Sequence, residues 1–237
     1  MQAIFDYWQL LLDGLLVTVV VTVFGSLLAF LIAFFVGIAR VARSAWLRVP
    51  SAVVVEVFRG TSLLVLMFWL FFALPFLGIE LTPIFAGVLA LGLNGGAYGA
   101  EIVRTTIKGR PKGQTEAIVA LGIPRTVALW RILIPQSIPA MLPPFGNILV
   151  DLLKASSLVS LVTIADLTFR AQMVRAATGE TITVFGVVLV LYFLLALLCG
   201  ELVKWLERRF DLARPVSKKR SLLLDSPKKV EAKHVVG

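Results

Sequence analysis

The sequence predicts an all-α integral membrane protein with about five transmembrane helices, and three observations carry that prediction. Mean hydropathy is +0.93, with 59% hydrophobic and 16% charged residues in a chain of 237, a balance that would aggregate in a soluble domain. Apolar runs of membrane length recur, each near the 20 or so residues that a helical span needs. The basic residues cluster beside those runs, which points to membrane orientation. A net charge of +9 would suggest nucleic acid for a soluble protein. Beside apolar spans it does not, and no nucleic-acid partner is expected.

The spans follow in order. Gly14 to Ala39 contains no charge and gives a first span at about 14–39. Gly60 to Ile79 gives a second, at about 55–79, and Leu81 to Ala100 a third, at about 81–103. Between Ile132 and Ala165 only Asp151 and Lys154 interrupt the apolar pattern, and Pro135, Pro139, Pro143 and Pro144 crowd its first part. That predicts a proline-rich turn leading into a helix over about 141–162. Thr181 to Gly200 opens a fifth span at about 181–203. Residues 1–212 form one membrane domain, and about 105–136 form its long polar loop. The basic segment 213–237 has little periodicity and is expected to be disordered and to touch anionic headgroups.

Orientation follows from Lys and Arg. Of the 23, all but Arg59, Lys154, Arg170 and Arg175 fall in the first loop, in the central loop or from Lys204 onward, all on one side. With five spans this places the amino terminus outside and the carboxyl terminus in the cytoplasm. Nothing basic precedes Arg40, which argues against a cleaved signal peptide. The lone Cys199 forms no internal disulfide, and one His with one Cys gives no zinc site of the usual kind. No phosphate-cradling Gly-x4-Gly-Lys-Ser/Thr loop is present. No nucleophile, base and orienting group share a motif spacing, so no catalytic residue is assigned.

The central loop is the most informative segment. Glu116 to Pro135 reads EAIVALGIPRTVALWRILIP. Thr115 is placed to cap a helix from Glu116, whose acid suits the positive helix end. Gly122-Ile123-Pro124 ends that helix, and a second restarts near Arg125 and runs to about Leu133. Two short helices about a Gly turn make a compact knob.

This loop resembles the one that permeases of ATP-binding-cassette importers dock onto their ATPase. That loop reads Glu-Ala-Ala, three residues, Gly, nine residues, Ile, one residue, Leu-Pro. Glu116, Ala117, Gly122, Ile132 and Pro135 match it at intact spacing, with Ile118 for the second Ala and Ile134 for the Leu. Gly113-Gln114-x-Glu116-Ala117, Phe58-Arg59-Gly60-Thr61-Ser62 and Gly96-Ala97-Tyr98-Gly99-Ala100-Glu101-Ile102-Val103-Arg104 resemble further motifs of the polar-amino-acid permeases. Ser62 stands where Pro is usual. Leu142-Pro143-Pro144 and Lys154-Ala155-Ser156-Ser157-Leu158 extend the resemblance, which covers residues 10 to 212. Leu74 to Ile79 and Ala165 to Gln172 are similar to the branch carrying ectoine-type compatible solutes.

The resemblance implies a type I importer permease fold in the bacterial cytoplasmic (inner) membrane. It implies a second permease, identical or homologous, two ATPase subunits and an extracytoplasmic solute-binding protein. ATP and Mg would be used by the ATPase, with no cofactor or metal on this chain. The solute would be a polar amino acid or an ectoine-like compatible solute. Asp166, Arg170 and Arg175 would lie where the binding protein docks.

Charges inside spans cost about 2.5–3.5 kcal/mol each on insertion scales and so need a reason. Asp151 and Lys154, three apart, either neutralise each other or place Lys154, with Ser156 and Ser157, on the solute path. Glu56/Arg59 and Glu101/Arg104 share that spacing and read as structural ion pairs. Gly92/Gly96 and Gly95/Gly99 allow close helix packing, and Asn94 and Tyr98 are candidate polar contacts of the path. The rival readings are a secondary transporter or channel, which would need more spans or an inverted repeat, and a membrane scaffold without transport.

Overall fold

The computed structural model describes residues 7–209, which form helices and turns with no strand among them. Its elements are α1 (Trp8–Ala39), α2 (Ala45–Gly60), α3 (Leu63–Phe68), α4 (Pro83–Lys108), α5 (Lys112–Ala120), α6 (Arg125–Val127), α7 (Ile134–Ala155), α8 (Leu167–Thr178) and α9 (Thr181–Arg209). Four helical stretches are long and apolar enough to cross a membrane, and α2 with the helical run Leu63–Leu77 makes a fifth candidate span, bent by 101°.

α1 against α4 is the central packing. The buried residues of α1 include Gly14, Thr18, Gly25, Ala29, Ala33 and Gly37, so its inner face is nearly smooth. Gly92 and Gly96 of α4 meet that face. A Cβ on Gly92 would lie 2.5 Å from the Leu28 side chain, and one on Gly96 2.7 Å from Ile32. In lipid, where helices are held by packing rather than by the hydrophobic effect, such close approach supplies the contact. Val21, Met67, Leu91, Leu152 and Val159 then join α1, α3, α4 and α7 in one apolar cluster. The outer surfaces of α1 and α9 carry Phe24, Phe35, Leu189 and Leu198, all exposed, as a lipid-facing surface requires.

Four details differ from the sequence reading. The second span is broken: Thr61 (ψ 136°) and Ser62 (ψ 132°) are extended, so the chain leaves α2 at Gly60 and restarts at Leu63. The helix before Gly122 begins at Lys112, not at a Thr115 cap. Pro111 supplies the entering conformation (φ −54°, ψ 133°), and its carbonyl accepts from Gln114 N–H at 3.0 Å. The expected proline-rich turn before residue 141 is helix. α6 runs through a π-helical turn, Ala128–Leu133, into α7, and Pro139, Pro143 and Pro144 lie inside it. Pro139 and Pro143 are one turn apart, so their missing N–H groups fall on one side and the helix continues. Finally, the outer loop folds as α8. The expectations for 213–237 lie outside the described residues.

Candidate functional site: a polar cavity and a short-helix knob

Gly122 shapes the knob. It adopts φ +64°, and the hydrogen bonds Gly122 N–H to Val119 O (3.0 Å) and Ile123 N–H to Ile118 O (3.1 Å) close α5 with a Schellman motif. Pro124 turns the chain into α6. A Cβ on Gly113 or Gly122 would meet nothing within 4 Å, so neither glycine is there for packing within this chain. Glu116, Ala117 and Pro135 are exposed, while Gln114 and Ile132 are half-buried. Val119 (66% exposed) and Leu121 (74% exposed) place apolar surface at the tip.

The knob is tied to the spans at both of its ends. Arg110, just after α4, donates to Ser137 Oγ of α7 through Nη2 (3.1 Å) and Nε (3.3 Å). Ser137, fully buried, donates in turn to Leu133 O at 2.7 Å. Val103, Ile107, Ile134 and Met141 pack beneath it. Nothing local in the sequence points to the Arg110–Ser137 strut, because its partners are distant in the chain and neither belongs to a motif.

A cavity of about 400 Å³ lies between the end of α2, α4 and α7. Arg59, Asn94, Tyr98, Glu101, Thr105 and Asp151 supply its polar lining. Asn94 Nδ2 donates to Phe58 O (3.1 Å) and Tyr98 Oη to Arg59 O (3.4 Å). These carbonyls have no helical partner because α2 stops at Gly60, so the two side chains cap the break. The Arg59 guanidinium lies 5.4 Å from the Tyr98 ring centroid, and its Nε is buried without a partner.

The candidate ion pairs belong to one network. Arg40, read from the sequence only as an orientation marker, is buried at the end of α1 and bonds Glu101; Glu56 lies 3.7 Å away. Arg104 also bonds Glu101, through Nε at 3.0 and 3.1 Å and through Nη2. Arg59 stands 3.9 Å from Glu56. Glu101 is thus held by two guanidiniums, whereas Arg59 and Asp151 are only loosely committed. Asp151 lies 3.9 Å from Lys154, and both side chains are largely exposed. Lys154 does not line the cavity. Ser156 is buried and donates to Leu153 O (2.7 Å), and Ser157 donates to Lys154 O (2.8 Å), so neither hydroxyl is aimed at it.

At the opposite end, Asp166 is fully buried rather than exposed for docking. It caps α8, accepting from Phe169 N–H (2.9 Å) and from Tyr192 Oη (3.3 Å). Burial pushes its carboxyl above the usual carboxylate range, against the hydrogen bonds that lower it. Thr18 of α1 accepts from Leu167 N–H at 3.1 Å beside it. Arg175 is exposed and Arg170 half-buried. No group of His, Cys, Asp and Glu among the described residues could hold a metal.

Apolar crossing helices around a small polar cavity, with a rigid knob joined to two of them, define a multi-pass membrane transport subunit. Residues 25–212 match the family described as binding-protein-dependent transport system inner membrane component, and the chain belongs to that family. It is a permease subunit of an ATP-binding-cassette importer, and membership implies ATPase and binding-protein partners. It is 43% identical over 208 residues to the probable amino-acid ABC transporter permease protein y4tF of Sinorhizobium fredii, covering 85% of this chain and 87% of that one. It is 32% identical to the L-cystine transport system permease protein TcyB of Bacillus subtilis, covering 87% and 88%. The crystal structure of an amino acid ABC transporter with histidines superimposes with a TM-score of 0.82 at 31% identity, covering 88% of this chain and 97% of that one. The inward-facing MetNI methionine ABC transporter, at 22% identity and a TM-score of 0.74, shares the fold.

Proposed function

We propose that this subunit moves a small zwitterionic solute, a polar amino acid or an ectoine-like compatible solute, through the cavity beside Arg59 and Asp151. The observation that carries the reading is the pairing of loosely committed opposite charges on that one cavity. Arg59 would meet the carboxylate and Asp151 the cationic group, while Asn94 and Tyr98 hold the α2 break open beside them. The relatives named for amino acids and cystine support the solute class. Lys154 then acts as the counter-charge of Asp151, the first of the two readings that the sequence leaves open.

Asp151 and Lys154 also favour a paired assembly. Two exposed charges in a span cost about 2.5–3.5 kcal/mol each against lipid, so a second permease, identical or homologous, would cover that face. The knob, with Gly113, Gln114, Glu116, Ala117, Gly122, Ile132 and Pro135, is our docking element for two ATPase subunits. These would bind ATP and Mg and perform the hydrolysis, leaving this chain without a catalytic step. The knob then faces the cytoplasm, the amino-terminal end of α1 faces outward, and the membrane is the bacterial inner one. A solute-binding protein would meet the outer side near α8.

The test is solute-stimulated ATP hydrolysis by the reconstituted complex, screened over polar amino acids and ectoines. Wild type should respond to one zwitterionic class. Arg59→Ala and Asp151→Asn should each reduce that response at least tenfold while the complex still assembles. Unchanged responses in both variants would remove the cavity assignment.

A further inference from the structure

We infer that a second cavity, apolar and next to the polar one, is the subsite for the solute's side chain, and that it selects solutes whose side chain or ring is uncharged. The inference rests on the zwitterionic head lying beside Arg59 and Asp151, as proposed above. The second cavity has a volume of about 160 Å³ and lies between α1, α4 and α7. Gly95, Ile148 and Leu152 line both spaces. Two of these three directly follow polar residues of the first cavity in the chain, Gly95 after Asn94 and Leu152 after Asp151. A solute held by its head at Asp151 thus has its side chain beside the partition. That partition is thin. Leu152 packs against the bare backbone of Gly95, where a Cβ would lie 3.0 Å from both Leu152 methyl groups and 3.2 Å from the Ala29 Cβ. A change of the Leu152 rotamer joins the two spaces.

The lining sets what can enter. Among the described residues no charged side chain lines this second cavity. Phe30 and Phe145 line it and meet edge to face, with ring centroids 5.6 Å apart, and Leu149 adds to the apolar wall. An apolar cavity of about 150 Å³ takes a benzene-sized group. An ammonium or carboxylate entering such a space gives up its hydration and finds no partner, so charged side chains are kept out. Ser26 is the one polar side chain in the wall, and its Oγ is buried with no hydrogen-bond partner among the described residues. Thr18 and Thr22, one and two turns earlier on α1, satisfy their hydroxyls by donating to Gly14 O (3.0 Å) and Thr18 O (2.7 Å). Ser26 continues that spacing but makes no such bond. A buried hydroxyl left unpaired is unfavourable, and a polar atom on an entering side chain pairs it. The subsite therefore suits a neutral side chain or ring of about benzene size that carries a hydrogen-bonding atom, such as a primary amide.

The experiment reads ATP hydrolysis by the full-length chain reconstituted with its ATPase and binding protein, stimulated by glutamine, methionine, ectoine, glutamate or lysine. The binding protein is the same in every assay, so a ratio between solutes that changes with the permease variant belongs to the permease. Wild type should respond to a neutral solute about tenfold more strongly than to glutamate or lysine. Ser26→Leu fills the cavity and should cut the response to that neutral solute about tenfold. Adding Leu149→Ala to Ser26→Leu reopens the space and should restore at least half of the response. Ser26→Ala keeps the volume and removes the hydroxyl, so it should lower the response to glutamine or ectoine severalfold against that to methionine. Stronger stimulation by glutamate or lysine than by any neutral solute would overturn the inference. So would an undiminished response in Ser26→Leu, or a lost response that Leu149→Ala fails to restore. An undiminished response in Arg59→Ala beside a lost and restorable one in Ser26→Leu would instead fault the head site and not the side-chain subsite.

Discussion

Gly122 and Asp166 show how single residues set the two ends of this subunit. At Gly122 the left-handed backbone costs any ordinary L-residue about 1–2 kcal/mol, and Asn and Asp tolerate it better than the rest. That separates strain from docking chemistry. Gly122→Asn should keep most coupling, and Gly122→Asp, which adds a charge at the same φ, should lose it, as read by the ratio of stimulated to basal ATP hydrolysis. Asp166 is a buried cap. Asp166→Ala should cost about 1–2 kcal/mol, visible as a lower melting temperature in detergent. Because burial raises its folded-state pKa, the folded chain holds the proton more tightly than the unfolded chain. The resulting stabilisation is present below the ordinary carboxylate pKa and is lost as pH rises through the raised value. Asp166→Asn keeps the cap and removes the titration, so its melting temperature should fall less than that of wild type over this interval. Equal slopes would show that Asp166 does not titrate there.

At the scale of elements, α2 is held by polar contacts to its neighbours. Arg40 bonds Glu101 and approaches Glu56, Asn94 and Tyr98 cap the carbonyls of Phe58 and Arg59, and Val55 packs with Ala97 and Ala100. Removing one partner of a buried ion pair costs about 3–5 kcal/mol, and less where, as here, Glu101 keeps Arg104. Arg40→Gln should therefore lower the melting temperature of the purified subunit and raise the accessibility of a thiol placed at Phe58. Unchanged accessibility would show that α2 does not depend on Arg40. A bulkier contact is less forgiving. Gly96→Leu should prevent α1 and α4 from closing and abolish assembly, because Ile32 already stands where its Cβ would lie.

What the sequence disclosed at this scale followed its local signals. The apolar runs, the Gly-x3-Gly faces of α4 and the knob's Gly-x-Pro stop are all read within one turn or one span. Arg40, Arg110 and the burial of Asp166 were not legible. Each depends on a partner from another helix, and a basic residue near a span end carries the same pattern whether it is solvated or buried. The broken second span was hidden because Ser62 takes the place of the family's usual Pro, although the backbone there is extended all the same.

Across the whole molecule, the knob and the cavity share α4 and α7, so a displacement of one is felt at the other. The stiffness comes from the Arg110–Ser137 strut and the cluster of Val103, Ile107, Ile134 and Met141 beneath the knob. Coupling needs such a link between an element moved by the ATPase and the helices around the solute. Ser137→Ala should leave assembly intact and reduce solute stimulation of ATP hydrolysis severalfold, with basal hydrolysis unchanged. The most direct test of this account is solute-stimulated ATP hydrolysis by the reconstituted complex, wild type against Gly122→Asp. The account predicts stimulation by a zwitterionic solute in wild type and its loss in a variant that still assembles with the ATPase. Equal stimulation in both would contradict the assignment of this knob as the coupling element.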